Sequence, residues 1–590
     1  MVHLIAQVSV FAGYFSPLDW AVVAAYFVSV SVLGVKLAGP QRGIDDFFRG
    51  GGRLPWYAVA GSMVATIVSA VTFVAVPAVV YRDGGDFTYL QLGLIAGLLS
   101  RIVVAVWLIP AYYRHQVLSP YDFIGQRRGE AARLVTTLLF TAMGVMAQAA
   151  RVYLTAMVLT LVLAQPLGAL AEVTGVSPLA WAVFLIAVIA AAWTMVGGIA
   201  TVVWTDALLL LVFVVGGVAA LGVIVVQLPG GWGELVSEGA AAGKFRLFDL
   251  TYAPDFTRPY TLWAAVFAVT LGNVGQYGTD QLLAQRLFCC RSANGARAAI
   301  LTSWLGEAIV ALMLLVGVGL WVFYERAFPL RLAGEAAALV GQDADNVFPV
   351  FILTEVPMGL RGLIVAGILA AAVSSLTSIL AALAQTTLSA TVVPWRARHG
   401  NEGQSGLLAW SRGLILFWAL CLAGAALGLD VYVRYQAGLG RDVPLLDLAL
   451  GLSGYIVGAL FGAFVLAWLP LKINARGIVF AAPLSVLAVV AMRFHGQAVP
   501  QVMLGMGGVI LVVWIATAWT SRLRLVRSVW LVLATLVLFA MARWGTFSPL
   551  EAGGLDRTVA WPWYAPIGAM MMLVFGYLLA DRLETHAAEA

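Results

Sequence analysis

Long apolar runs alternate with short polar stretches from residue 18 to residue 582. Most of the runs approach or exceed the roughly 20 residues that an α-helix needs to cross a hydrocarbon core. Outer-membrane barrels would instead show segments of about 10 residues with alternating polarity, and that rhythm is missing. The pattern predicts fifteen candidate spans: 18–38, 54–80, 85–112, 133–164, 177–196, 200–226, 260–280, 296–324, 346–392, 407–428, 443–470, 477–493, 500–519, 526–545 and 558–582. The longer connections near 227–259, 325–345 and 544–557 are too short for a folded domain and are expected to form lids or surface helices.

Composition narrows the class. Of 590 residues, 62% are apolar and 11% charged, against about 25% charged in an average soluble domain. Such a surface must face lipid or other helices. The net charge of +5 does not point to nucleic acid, because the basic residues are sorted by side. Threading the spans from an exterior N-terminus puts 20 of the 34 Lys+Arg in cytoplasmic segments, among them Arg114, Arg127, Arg128 and Arg133, then Arg286, Arg291 and Arg297. Short basic loops stay in the cytoplasm, so a multi-pass inner or plasma membrane protein is expected, N-terminus outside and C-terminus inside. The three cysteines and five histidines give neither a disulfide framework nor metal-ligand spacing. The N-terminus reads as lacking a removable signal peptide.

Polar residues inside spans are costly unless they face a cavity or a partner. The second span carries Gly61, Ser62, Thr66, Ser69, Thr72 and Pro77. Hydroxyl and small residues ahead of a proline predict a local break, which frees backbone oxygens for a cation; close helix packing is the alternative. The ninth span crowds Ser374, Ser375, Thr377 and Ser378 into about a turn and a half. Spacings of three and four residues put pairs of them on one face, as a cage for a hard cation requires; hydroxyls bonded back to their own helix are the bland reading. Asp206 lies about two turns into the sixth span with no basic neighbour in sequence, and Arg101, Arg151 and Glu307 also fall within spans. The two arginines could neutralise Glu307 and Asp206. Arg151 follows the small, polar Gln148-Ala149-Ala150, where a guanidinium could clamp a carboxylate in bidentate fashion.

Five stretches in order, SAVTFVAVPAVVYRDGG (69–85), SPYDFIGQR (119–127), GGIATVVWTDAL (197–208), YGTDQLLAQR (277–286) and GLIVAGILAAAVSSLTS (362–378), resemble the sodium/solute symporter family. The resemblance implies an all-α membrane protein of LeuT-type fold with 13–15 spans. Two inverted five-helix repeats would occupy about 54–226 and 260–470. One leading helix (18–38) would precede them, and about four accessory helices (477–582) would follow. It implies Na+ as coupling ion, held by backbone oxygens of Ala65, Val68 and Ala371 and the hydroxyls of Ser374 and Ser375. A second sodium position would use Asp206, Ser374, Thr377 and Ser378. The pocket pattern is most like that of bacterial sialic-acid and organic-anion members, with Ser69, Thr72, Phe87, Gln91 and Arg151 facing the solute. Sugar carriers have an aromatic gate where Leu282 and Leu283 stand here.

The expected function is therefore sodium-coupled import of a small carboxylate, such as sialic acid or a monocarboxylate, by alternating access. No enzymatic step, nucleic acid or obligatory protein partner is expected. A sodium/sugar or polyol symporter is the nearest alternative. A solute sensor without turnover is another, although such modules are usually fused to signalling domains and eight residues follow Arg582 here.

Overall fold

The computed structural model describes residues 15–38, 43–68, 70–117, 119–251, 255–342, 344–399, 406–438, 445–493, 506–508, 510–512, 514 and 559–581. Among these the chain is predominantly helical, with an isolated β-bridge between Leu54 and Cys290. Nine helices are long and apolar enough to cross a membrane, and one bent pair makes a tenth such element. The expected span at 526–545, most of that at 500–519 and the loop at 544–557 lie outside the described residues.

Helix α1 (Pro17–Ala38) opens with Asp19, whose buried carboxylate accepts from the backbone N–H of Gly359 at 2.7 Å and of Gly362 at 3.0 Å. Helices α2 (Trp56–Ile67) and α3 (Ala70–Tyr81) are the two halves of the second span, bent by 55°. The chain leaves the helix at Val68 (φ −76°, ψ 94°), so the break falls well before Pro77, which sits inside an intact α3. Proline therefore does not make the break. Its turn is instead shielded by Gly317, where a Cβ would lie 2.4 Å from the Pro77 carbonyl oxygen.

Helix α4 (Thr88–His115) contains π-helical turns at Leu92–Ala96 and Val104–Leu108. It is followed by α5 (Glu130–Val162), α6 (Pro178–Met195) and α7 (Gly198–Gln227). The last two run on with a single dislocation at Gly198 (φ 58°, ψ −165°), where a Cβ would also meet the Phe47 carbonyl oxygen at 2.6 Å; only glycine suits that conformation. The segment after α7 forms α8 (Gly231–Ala241) and an extended strap to residue 249. Then come α9 (Thr270–Thr279), α10 (Gln281–Phe288) and α11 (Ala293–Ala327).

The expected ninth span, 346–392, is two helices. Helix α12 (Val347–Glu355) and α13 (Leu360–Thr387) are separated at Pro357-Met358-Gly359, with Gly359 at φ 84°. The apolar run was continuous in sequence, but its first part is a short buried helix and not a stretch of the span. Helices α14 (Leu407–Gly438), α15 (Leu445–Trp468), α16 (Ala475–Arg493) and α17 (Tyr564–Leu578) complete the order.

Packing divides the chain into two interleaved units. The first comprises Met1–Leu94, Val145–Asp249 and Gln285–Ala449. Its centre is α7, which packs against α13, α2 and α1, with Phe73 stacked on Phe213 at 4.7 Å. The second comprises Ile95–Gly144, Leu250–Ala284 and Leu450–Ala590. There α16 packs on α17, Ser485 donating to the Gly568 carbonyl. The Arg128 guanidinium donates to the carbonyls of Leu466, Leu469, Leu471 and Ile473, so one side chain satisfies carbonyls that the end of α15 leaves without helical partners.

Candidate ion and solute site

The first unit gathers the polar residues that its spans carry. Helix α13 carries Ser374, Ser375, Thr377 and Ser378, all buried, and Ser374 reaches Asp206 on α7. Asp206 is fully buried and accepts three hydrogen bonds. Ser62 Oγ and an Arg286 Nη donate to Oδ2 at 2.6 and 3.1 Å, and Ser374 donates to Oδ1. Arg286 is equally buried and spends its fork on the same cluster. Nε donates to Ser62 Oγ at 2.8 Å, and Nη2, besides Asp206, donates to Ser378 Oγ.

Arg286 corrects two sequence expectations. It is no cytoplasmic loop charge, and Asp206 is neutralised by it, not by Arg101 or Arg151. Arg101 donates to the Gly97 carbonyl and lies over the Tyr277 ring. Helix α10 is held in place by backbone and amide contacts. Gln285 Nε2 donates to the Phe48 carbonyl at 2.8 Å, and the Leu54 N–H donates to the Cys289 carbonyl at 3.0 Å. The missed signal was within reach, since Asp206 lacked a local partner and Arg286 closes the conspicuous stretch YGTDQLLAQR.

The residues expected to hold the first sodium converge differently. Ala65, Val68 and Ala371 belong to one buried cluster. Ser375 Oγ is buried with no hydrogen-bond partner among the described residues, a cost of about 1–3 kcal/mol unless something meets that oxygen. A buried hydroxyl oxygen without a hydrogen-bond partner is the donor type a hard cation takes. Thr377 Oγ1 turns back to the Ser374 carbonyl at 2.8 Å, as the bland reading of the cluster anticipates.

Of the residues expected to meet the solute, Ser69 lies outside the described residues. Thr72 is buried on α3. Arg151, half-buried on α5, reaches the break itself and donates from Nη1 to the Thr66 carbonyl at 3.3 Å. Three residues before it, on the same helical face, Gln148 keeps a buried Oε1 with no hydrogen-bond partner among the described residues. Sequence reasoning passed over this acceptor. Phe87 and Gln91 contact the strap that follows α8. Phe87 packs edge-on to Phe245, and Gln91 Oε1 accepts from the Asp249 N–H at 3.3 Å.

That strap is anchored by charge. Lys244 Nζ donates to the carbonyls of Val80 and Arg82 at 2.7 and 2.9 Å and lies over Trp321. Arg246 Nε donates to Asp86 at 2.7 Å. Burial pulls the Lys244 pKa down, opposed by Asp83, Asp86 and Glu325. Among the described residues no cluster of His, Cys, Asp and Glu could hold a transition metal.

Comparison with known proteins agrees with this architecture. The Sodium:solute symporter family matches residues 47–393, more than half of the chain. The sodium/sialic acid symporter SiaT of Proteus mirabilis (strain HI4320) is 27% identical over 81% of this chain and 90% of its own length. The human sodium/iodide cotransporter is 30% identical over 79% and 68%, and the Xenopus laevis sodium-coupled monocarboxylate transporter 1 is 27% identical over 79% and 70%. A solved structure of a Na+-coupled sialic acid symporter, substrate-bound and outward-open, covers 96% of this chain and 100% of its own with a TM-score of 0.71 at 23% identity. That likeness establishes the LeuT-type fold expected from the sequence. With its spans, its broken helix and these matches, the chain is a membrane transporter that belongs to the sodium:solute symporter family.

Proposed function

We propose that this chain imports a small organic carboxylate, sialic acid or a monocarboxylate in type, by sodium-coupled symport across the plasma membrane. The observation that carries the reading is the placement of Arg151 at the break between α2 and α3, with its guanidinium on the carbonyl of Thr66. A guanidinium there can exchange a weak carbonyl contact for a bidentate grip on a carboxylate. Gln148 and Thr72 are polar groups at hand for the rest of the solute, and Gln91 would join them on giving up its contact with the Asp249 N–H. Sodium is the co-transported ion, taken by oxygens of Ala65, Val68, Ala371, Ser374 and Ser375 at the same break. Ion and solute then bias one conformational equilibrium, each by its differential affinity for the two states.

The names of the relatives support an anion: sialic acid, iodide and monocarboxylate. We assign the repeats to 54–226 and 260–470, the leading helix to 18–38 and the accessory helices to 477–582, with the N-terminus outside and the C-terminus in the cytoplasm.

Proteoliposomes test the reading. Labelled sialic acid and a short monocarboxylate should accumulate under an inward sodium gradient and not under a potassium gradient. Accumulation of a hexose alone would move the assignment to sugars. Sodium-dependent binding without accumulation would make the chain a sensor.

A further inference from the structure

The residues expected to hold a second sodium do not fit one. Both oxygens of Asp206 are engaged, by Ser62, Ser374 and Arg286. Ser378 Oγ accepts from Arg286, and Thr377 Oγ1 is turned to the Ser374 carbonyl. The centre of this constellation is filled by a guanidinium with no exposed surface.

We propose that Arg286 is a built-in cation that excludes a second sodium ion from Asp206, Ser374 and Ser378, so that each chain binds a single ion. The proposal rests on the sodium reading above. Its logic is charge balance. A buried carboxylate must be compensated, and here the chain carries its own compensating charge on α10. A further monovalent cation would have to enter beside a guanidinium, without solvent to screen the repulsion, at a carboxylate that already accepts from Ser62, Ser374 and Arg286. The first position is unlike this, since its Ser375 hydroxyl has no partner among the described residues. Ser374 links the two, because it gives its proton to Asp206 and keeps lone pairs for the ion.

With Arg286 replaced by glutamine, Asp206 would retain a negative charge, Ser62 and Ser374 would still face it, and Ser378 would lose its donor. That set, a carboxylate with surrounding hydroxyls, is what a hard cation takes. A second sodium should then enter.

Equilibrium binding of radioactive sodium to the purified full-length protein decides the matter, with thermal unfolding against sodium concentration as a second readout. The wild type should bind one ion per chain. R286Q should bind two and should depend more steeply on sodium for its stability, while D206N/R286Q should return to one. Two ions on the wild type, or one ion on a folded R286Q with an unchanged sodium dependence, would overturn the proposal. If R286Q does not fold, the wild-type count still decides. No bound ion at all would sink the sodium reading itself, which separates the two failures.

Discussion

Ser375 and Arg151 give the sharpest tests at the level of single side chains. S375A removes one neutral ligand, worth about 1 kcal/mol, and should raise the sodium concentration for half-maximal uptake about fivefold. A sodium titration of uptake checks it, and an unchanged midpoint would place the cage elsewhere. R151A removes a charge-assisted fork worth roughly 1.5–3 kcal/mol. It should weaken anion binding by about 10- to 100-fold while leaving stabilisation by sodium intact in thermal unfolding. R151K, a point charge without the fork, should recover little. At this scale the sequence was informative where chemistry is local. The hydroxyl run at 374–378 and the isolated Asp206 were conspicuous because polar groups inside apolar runs are few. Arg286 was hidden because its partner is 80 residues away along the chain and its neighbours Arg291 and Arg297 do look like loop charges. Gln148 was seen only as part of a small, polar stretch, since nothing in one dimension reveals an unmet acceptor.

Among the helices, apolar length was enough to find most spans, but their interruptions required the packing. The break in the second span was expected from its hydroxyls and Pro77, yet it falls at Val68 and α3 absorbs the proline. Gly317 lies against the Pro77 carbonyl and leaves no room there for a side chain. G317V would force a branched side chain into that contact and should destabilise the protein by about 1–3 kcal/mol, visible as a lower midpoint of thermal unfolding. The strap at 242–249 was legible only as a long exterior loop. Lys244 gives it a definite hold, with two carbonyls at the C-terminal end of the broken span. K244M should cost about 1–3 kcal/mol and leave the strap more open to hydrogen exchange, with the helices unaffected. If exchange there does not change, Lys244 is not the anchor.

For the molecule as a whole, the positive-inside argument predicts which side each end occupies. Single cysteines placed near residue 10 and residue 585 should be modified by a membrane-impermeant reagent from outside and only after permeabilisation, respectively. Reversal at residue 585 alone would revise the number of spans after residue 477, and reversal at both positions would overturn the orientation. The division into interleaved units had no counterpart in the sequence, which presents the repeats as consecutive blocks. Each unit draws segments from both halves of the chain, a pairing that apolar periodicity cannot encode. Asp19 makes a related point about the leading helix. Its carboxylate receives the first N–H groups of α13, so a residue outside both proposed repeats closes the end of the helix that bears Ser374. A shortened chain beginning at Trp56 would keep every residue assigned to ion and solute, yet it would leave that helix frayed at its exterior tip and should respond poorly to sodium. The helix at the front thus caps the helix that bears Ser374, and tags or fusions belong ahead of Ser16, not in its place.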